Sequence, residues 1–300
     1  MKVKSLIFAI ISLAMVAMFA SCNKKNEPAD NNGNTDPAPT PQEEVIDPKA
    51  APANSHSKGT VKDICGNSYN YVQIGSQTWL AENMRCDKFD SESELKGKTI
   101  PMINEESYLP GYIVASNSDK WSDGSKDDAV KLTEKQMVYL GYLYTWAAAV
   151  GLEKENDVKG QVHAFTDKRQ GVCPNGWHLP TVSEYQELVT FIENTDGKGN
   201  DNAGMHLRTT TGWYSKFFVV ENNDEVIEGK YTYGFSLLPS GDLASDKIRD
   251  VGFGSMLWTA NPVEMKGGIA YIYNTSAIIH GFGWANLGKS RAFAVRCLKD

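Results

Sequence analysis

Half of the chain's twelve prolines lie in one stretch: Pro28, Pro37, Pro39, Pro41, Pro48 and Pro52 all fall between Asn23 and Thr60. Proline fixes φ and has no amide donor, so this density excludes helix interiors and sheet centres. Asn, Asp, Ala and Thr fill the gaps with almost nothing apolar to bury. The stretch cannot offset its ordering entropy and reads as an extended, disordered spacer. Folding is left to residues 61–300, about the length of one large or two small domains. The hydrophobic set makes up 41% and charged residues 22%, as in soluble globular chains. The formal charge is −7 with no block of like charge, which disfavours a nucleic-acid partner.

Ahead of the spacer, Lys2 and Lys4 precede an apolar run of 15 residues from Leu6 to Ala20, interrupted only by Ser12. A bilayer-spanning helix needs roughly 20 residues, whereas a signal-peptide core is shorter and closes on small residues. The segment Phe19-Ala20-Ser21-Cys22 resembles a bacterial lipobox, with Phe19 where Leu is usual. That resemblance implies a diacylated Cys22 as the mature N-terminus and a membrane attachment through lipid. The expected organisation is a lipoprotein signal peptide over 1–21, a tether over 22–60 and one domain over 61–300, lipid-anchored in the cell envelope, at the outer membrane. Four of the five cysteines then remain, an even number that suits an oxidising compartment.

From Val61 the texture becomes short strands and turns. Val61–Ile64 leads into Gly66-Asn67, Tyr69–Ile74 follows, and Gly75-Ser76 turns the chain into Gln77–Leu80. Thr181 and Glu184 are spaced as a capping box behind Pro180, and Tyr185, Leu188, Val189 and Ile192 share one face of the helix they start. A second, Ala-rich helix is expected over Thr145–Val150, stopped by Gly151 and preceded by a strand-like Tyr139–Tyr144. Strands are expected over Trp213–Val220, Tyr231–Leu238, Met256–Ala260, Ile269–Asn274 and Ala292–Leu298, with loops over 98–135 and 152–170. The fold class is α+β with few helices.

Several blocks match a known family. Asp63-Ile64-Cys65-Gly66-Asn67-Ser68-Tyr69 and Ile74-Gly75-Ser76-Gln77-Thr78-Trp79-Leu80-Ala81-Glu82-Asn83-Met84 resemble the opening of the Fibrobacter succinogenes major paralogous domain. Gly141–Ala148, Cys173–Thr181 with Glu184, Gly234–Gly241 and Ala294–Cys297 follow in the family's order, and Met256–Ala260 stands at its aromatic-Trp segment. The resemblance implies a secreted or lipid-anchored surface protein of Bacteroidetes-type and fibrolytic bacteria. The block Gly176-Trp177-His178-Leu179-Pro180-Thr181-x-x-Glu184 is also similar to one in formylglycine-generating enzymes. With the Val295-Arg296-Cys297 ending, it implies a single C-type-lectin-like domain of short antiparallel strands.

Chemistry-bearing patterns are scarce. There is no Gly-x-Ser-x-Gly elbow and no Gly-rich phosphate loop, and the histidines at 56, 163, 178, 206 and 280 lack metal-ligand spacing. Glu82, Glu184 and Asp242 are the conceivable glycosidase carboxylates, although Glu184 already has a capping role. His178 reads as a buried hydrogen-bonding residue, and Asp123–Asp128 as a solvated acidic loop rather than a calcium site. Trp79, Trp146, Trp177 and Trp258 are expected in the core. Trp121, Trp213, Tyr214 and Trp284 lie in or beside loops and are the ligand-binding candidates, since exposed aromatic faces stack on sugars or anchor interfaces; the competing and commoner role of a loop tryptophan is to staple its loop onto the domain. The remaining cysteines allow three connectivities. Cys65 and Cys86 are close enough in sequence to join across adjacent segments, and the C-type-lectin resemblance implies Cys173–Cys297. The expectation is a non-enzymatic envelope module without metal or cofactor, binding a glycan or protein. The alternatives are an enzyme related to formylglycine generation, using paired thiols and copper, and a structural subunit of a surface assembly.

Overall fold

The computed structural model describes residues 49–90, 94–115, 134–196, 201–213 and 229–300. All of these belong to one compact unit. The signal peptide, Cys22, most of the spacer, Trp121, the 123–128 loop, Tyr214 and nearly all of the strand expected over Trp213–Val220 lie outside the described residues.

The opening hairpins form as their turns dictate. β1 (Gly59–Lys62) pairs antiparallel with β2 (Ser68–Ile74), and β2 with β3 (Gln77–Leu80). Two short strands extend this sheet, β6 (Trp177–His178) and β13 (Leu298–Lys299), in the order β1-β2-β3-β13-β6. Leu298 and Lys299 therefore sit inside the first sheet, between β3 and the edge strand β6. The second sheet contains β4 (Tyr112–Val114), β5 (Tyr142–Thr145), β7 (Ser240–Ala244), β8 (Lys247–Val251), β9 (Gly254–Pro262), β10 (Ile269–Ser276), β11 (Gly283–Gly288) and β12 (Ala292–Ala294). Its order is β11-β10-β9-β7-β12-β5-β4, with β8 on β7, and β9 runs parallel to both β7 and β12 while the other pairs are antiparallel.

Helices are few and short apart from one. α1 (Glu134–Leu140) precedes β5, α2 (Trp146–Val150) follows it, α3 is Glu155–Gly160, α4 is Val182–Thr195 and α5 is Ala203–Leu207. The Thr145 hydroxyl accepts from the Ala148 amide to start α2, and Gly151 ends it in the left-handed region at φ 72°. The capping box of α4 is complete: the Thr181 side chain accepts from the Glu184 amide, and the Glu184 carboxylate accepts from the Thr181 amide. Tyr185, Leu188, Val189 and Ile192 bury the inner face of α4 against Trp79, Ile74 and Phe235. A second core gathers Trp146, Tyr144, Trp258, Tyr69 and Trp177. The four tryptophans expected inside are there.

The α+β class holds, and several local expectations need correction. The loops expected over 98–135 and 152–170 contain β4 and α3, and the strand expected over Ala292–Leu298 is broken at Val295–Cys297, between β12 and β13. Tyr231–Leu238 is a set of turns and not a strand, with a single bridge from Leu237 to Arg208. Gly234, at φ 68°, interrupts the run and Pro239 directly follows it, which explains why. The strand-like Tyr139–Tyr144 is split: Tyr139 and Leu140 end α1 before β5 begins. Ordered chain also begins before Val61, because Lys49–Ser57 already lies against the domain, with the Ser68 amide donating to the Lys49 carbonyl at 2.7 Å.

Candidate functional site

The two disulfides are Cys65–Cys86 and Cys173–Cys297, as expected. The second closes a sequence separation of 124 residues and fixes the segment ahead of α4 to the end of the chain. Beside it, His178 is buried with Nε2 at 2.9 Å from Glu184 Oε1 and Nδ1 at 2.7 Å from Asp300 Oδ1. Burial alone would raise the Glu184 carboxyl, but bonds from His178 and the Thr181 amide and hydroxyl overcome it and hold the group at about 2. This clasp joins helix, strand and C-terminus, as the bland reading of His178 anticipated.

The other two conceivable carboxylates are likewise engaged. Asp242 Oδ2 accepts from Arg249 at 2.9 Å and also from Arg291. Glu82 accepts from the Asn70 amide at 2.8 Å and from Asn70 Nδ2 at 3.0 Å, and pairs with Arg85 at 3.3 Å. Burial pushes the Glu82 carboxyl above its usual range despite these partners. Asp63, Cys65 and Cys86 place ligand-type atoms within 4.8 Å of one another. Both sulfurs are bonded together, and Asp63 accepts from Asn67 and Tyr69, so this set offers no donors to a metal.

Of the aromatic candidates, Trp213 is buried: Arg208 stacks on its ring at 5.0 Å and its indole donates to Thr209 Oγ1 at 3.2 Å. It staples its loop to the domain and offers no face to a ligand. Trp284 on the edge strand β11 is 56% exposed and meets Tyr271 edge-on at 5.6 Å. Trp284 stands apart from the cleft described next.

A cleft of about 360 Å³ opens where the family blocks meet. Tyr139 and Tyr231 supply aromatic walls, Pro52, Leu238 and Pro239 apolar ones, and Glu82 and Ser236 polar groups, with Thr209–Gly212 along the rim. This volume is within the range of roughly 300–1,000 Å³ common to small-molecule clefts. Arg296 is buried close by. Its Nη2 donates to Asn83 Oδ1 at 2.8 Å, and its other bonds reach the carbonyls of Leu80, Phe235 and Ser236. One guanidinium thus stitches together the opening block, the Gly234–Gly241 block and the final block. Burial lowers it to about 10, leaving it cationic at neutral pH.

Backbone strain marks the same place. Tyr231 at φ 51° and Ser236 at φ 54° are two of only five non-glycine residues with positive φ among the described residues, and both line the cleft. Such conformations cost about 1 kcal/mol or more and persist where the surroundings enforce them, frequently at ligand sites. The sequence pointed to Glu82 and missed Tyr139 and Tyr231. Gly234 inside the apparent strand and Pro239 directly after it were the available sign that this segment forms a wall instead.

The described residues thus form an α+β domain with two disulfides and a tyrosine-walled cleft. The Fibrobacter succinogenes major domain matches residues 72–299, and the chain belongs to that family. No match was found among curated proteins or among solved structures.

Proposed function

We propose that this protein is a lipid-anchored binding module of the cell envelope, held by Cys22 at the outer membrane, and that its cleft takes a saccharide. The observation that carries the reading is the pairing of Tyr139 and Tyr231 with threonine and serine hydroxyls in one 360 Å³ cleft. Tyrosine rings stack on the C–H faces of pyranoses while hydroxyls and a carboxylate meet their polar rims. Glu82, Glu184 and Asp242 are each held by basic or amide partners, which favours binding over two-carboxylate hydrolysis. The C-type-lectin-like fold is part of this proposal. Its support is the Cys173–Cys297 bond tying the segment ahead of α4 to the terminal strand.

The formylglycine-type alternative requires free thiols at Cys173 and Cys297, and these sulfurs are bonded to each other at 2.02 Å. The assembly-subunit alternative has one supporting feature, the edge strand β11 with its exposed Trp284.

A glycan array probed with the full mature chain tests the ligand. Binding that Tyr139→Ala and Tyr231→Ala abolish supports the proposal, and a blank array together with a blank pull-down from envelope extracts overturns it. No helix among the described residues is long and apolar enough to cross a membrane. With the lipid on Cys22 as the proposed anchor, Cys22→Ser is expected to move the protein from the membrane pellet to the soluble fraction. Retention in the pellet after a salt wash would refute the anchor.

A further inference from the structure

One wall of the cleft comes from an unexpected place. Pro52 and Ala53 belong to the segment that connects the domain, along the chain, to Cys22. This segment is held at a series of points. Asn70 Nδ2 donates to the Pro52 carbonyl at 2.6 Å while also bonding Glu82, so one side chain joins the strap to the cleft's carboxylate. Arg85 likewise reaches the Ala50 carbonyl at 3.5 Å and Glu82 at 3.3 Å. Asn54 Nδ2 donates to the Gly234 carbonyl at 2.9 Å, on the turn that carries Ser236. His56 meets the Tyr231 ring edge-on at 5.2 Å. A Cβ added at Gly234 would collide with His56 Cβ and, at 2.8 Å, with Asn54 Oδ1, so the strap and this turn are packed as closely as a glycine permits.

The strap is nevertheless weakly buried. Ala53, Ser55 and His56 are exposed, and none of residues 49–57 belongs to either core. A segment held mainly by hydrogen bonds near solvent opens at much lower free energy than the domain unfolds. Every strap contact named above ends on a cleft residue or on a residue bonded to one.

We infer that docking of Lys49–Ser57 completes the cleft, so that ligand occupancy and the free length of the tether are coupled. A ligand touching Pro52, Ala53 and the strap-supported Tyr231 binds the docked state better than the open one, and thereby holds the strap down. Release of these residues adds about nine extended residues, roughly 30 Å, to the reach of the domain from its anchor. Ligand binding shifts the strap further toward its docked state and so shortens the mean reach of the domain. This inference rests on the cleft being the ligand site.

The test uses the full mature chain and has two arms. Hydrogen exchange of the strap amides and nitration of Tyr139 and Tyr231 are measured without ligand, in the wild type and in Asn54→Ala/His56→Ala. Protection is expected in the wild type at the His56 and Ser57 amides, which donate to Asn54 Oδ1 and to the Asn54 carbonyl. The double variant is expected to exchange there about tenfold faster, as the loss of one or two hydrogen bonds predicts, and to show faster nitration of Tyr231 with an unchanged melting temperature. Strap amides that exchange like an unstructured peptide, or a variant that frees the strap without changing Tyr231, overturn the coupling. The second arm adds 4-nitrophenyl glycosides. Slower strap exchange on binding, and weaker binding to the double variant, support the coupling, while binding that leaves strap exchange unchanged refutes it. If no glycoside binds either protein but the first arm behaves as expected, the saccharide reading fails and the structural coupling of strap to cleft stands.

Discussion

Glu184→Gln separates the charge of this side chain from its shape. Glutamine still accepts from the Thr181 amide, so the cap of α4 survives, and only the ionised interaction with His178 is removed. In the fold the carboxyl is held at about 2, against an ordinary value of 4.5. At about 1.4 kcal/mol per unit, that difference corresponds to roughly 3 kcal/mol of stability at neutral pH. The side chain is 24% exposed, so screening reduces this to about 2 kcal/mol. A carboxyl lowered in the folded state contributes fully above its unfolded value, and the contribution is lost as pH falls from 4.5 toward 2. Urea unfolding of both proteins between pH 7 and pH 2 reads this directly. The gap of about 2 kcal/mol should persist down to about pH 5 and close by about pH 2. His178 faces the group, with Asp300 and Lys168 behind it, so Asp300→Asn should leave most of the pH dependence in place. A gap that stays constant across the range, or no gap at pH 7, would show that the Glu184 charge does not hold the clasp.

Three further outcomes are expected. Lys289 is buried with Nζ donating to the carbonyls of Val158, Gln161 and Gly267 over the Trp146 ring. Lys289→Met leaves three acceptors without a donor and should cost about 3 kcal/mol or more by denaturant titration; a change below about 1 kcal/mol would refute the staple. Cys173→Ala/Cys297→Ala releases a loop of 124 residues and should cost about 4–5 kcal/mol, unless native strain offsets part of it, and non-reducing peptide mapping of the wild type should recover both bonds. Met265 is 92% exposed at φ 63°, so Met265→Gly should stabilise by about 0.5–1 kcal/mol in calorimetry, and destabilisation would contradict the strain.

What the sequence revealed depended on how local its physics is. The α4 capping box, the Thr145 and Gly151 boundaries of α2 and the β1-β2-β3 hairpins are each specified within a few residues, and they appear as read. The tryptophans of the family blocks are buried as read, each ring adding a large apolar area to one of the two cores. The sheet order was not legible. β13 lies between β3 and β6, and β12 between β7 and β5, through pairings that only three-dimensional closure selects. The sequence left Trp213 open between ligand face and loop staple, because a loop tryptophan looks the same whether it faces solvent or a guanidinium, and Arg208 decides between them.

The cleft was hidden for a different reason. Its walls come from Pro52, Glu82, Tyr139, Tyr231 and Ser236, spread over most of the folded chain and carrying no shared motif. Part of the wall is joined by Arg296, a residue legible only as part of a terminal block, which bonds Asn83 beside Glu82 and the carbonyls of Leu80, Phe235 and Ser236. A buried guanidinium must have those partners in place, and Ser236, one of them, takes up positive φ. The segment before residue 60 had every mark of a spacer, and composition gave no reason to divide it. The division comes from Asn54 and Asn70, polar side chains that suit a solvated linker but here fasten it, with Asn70 bonded to both the Pro52 carbonyl and Glu82. Pro52 and Ala53, on the stretch of chain leading back toward Cys22, form part of the cleft wall, and this continuity is what the proposed coupling of anchor and cleft rests on.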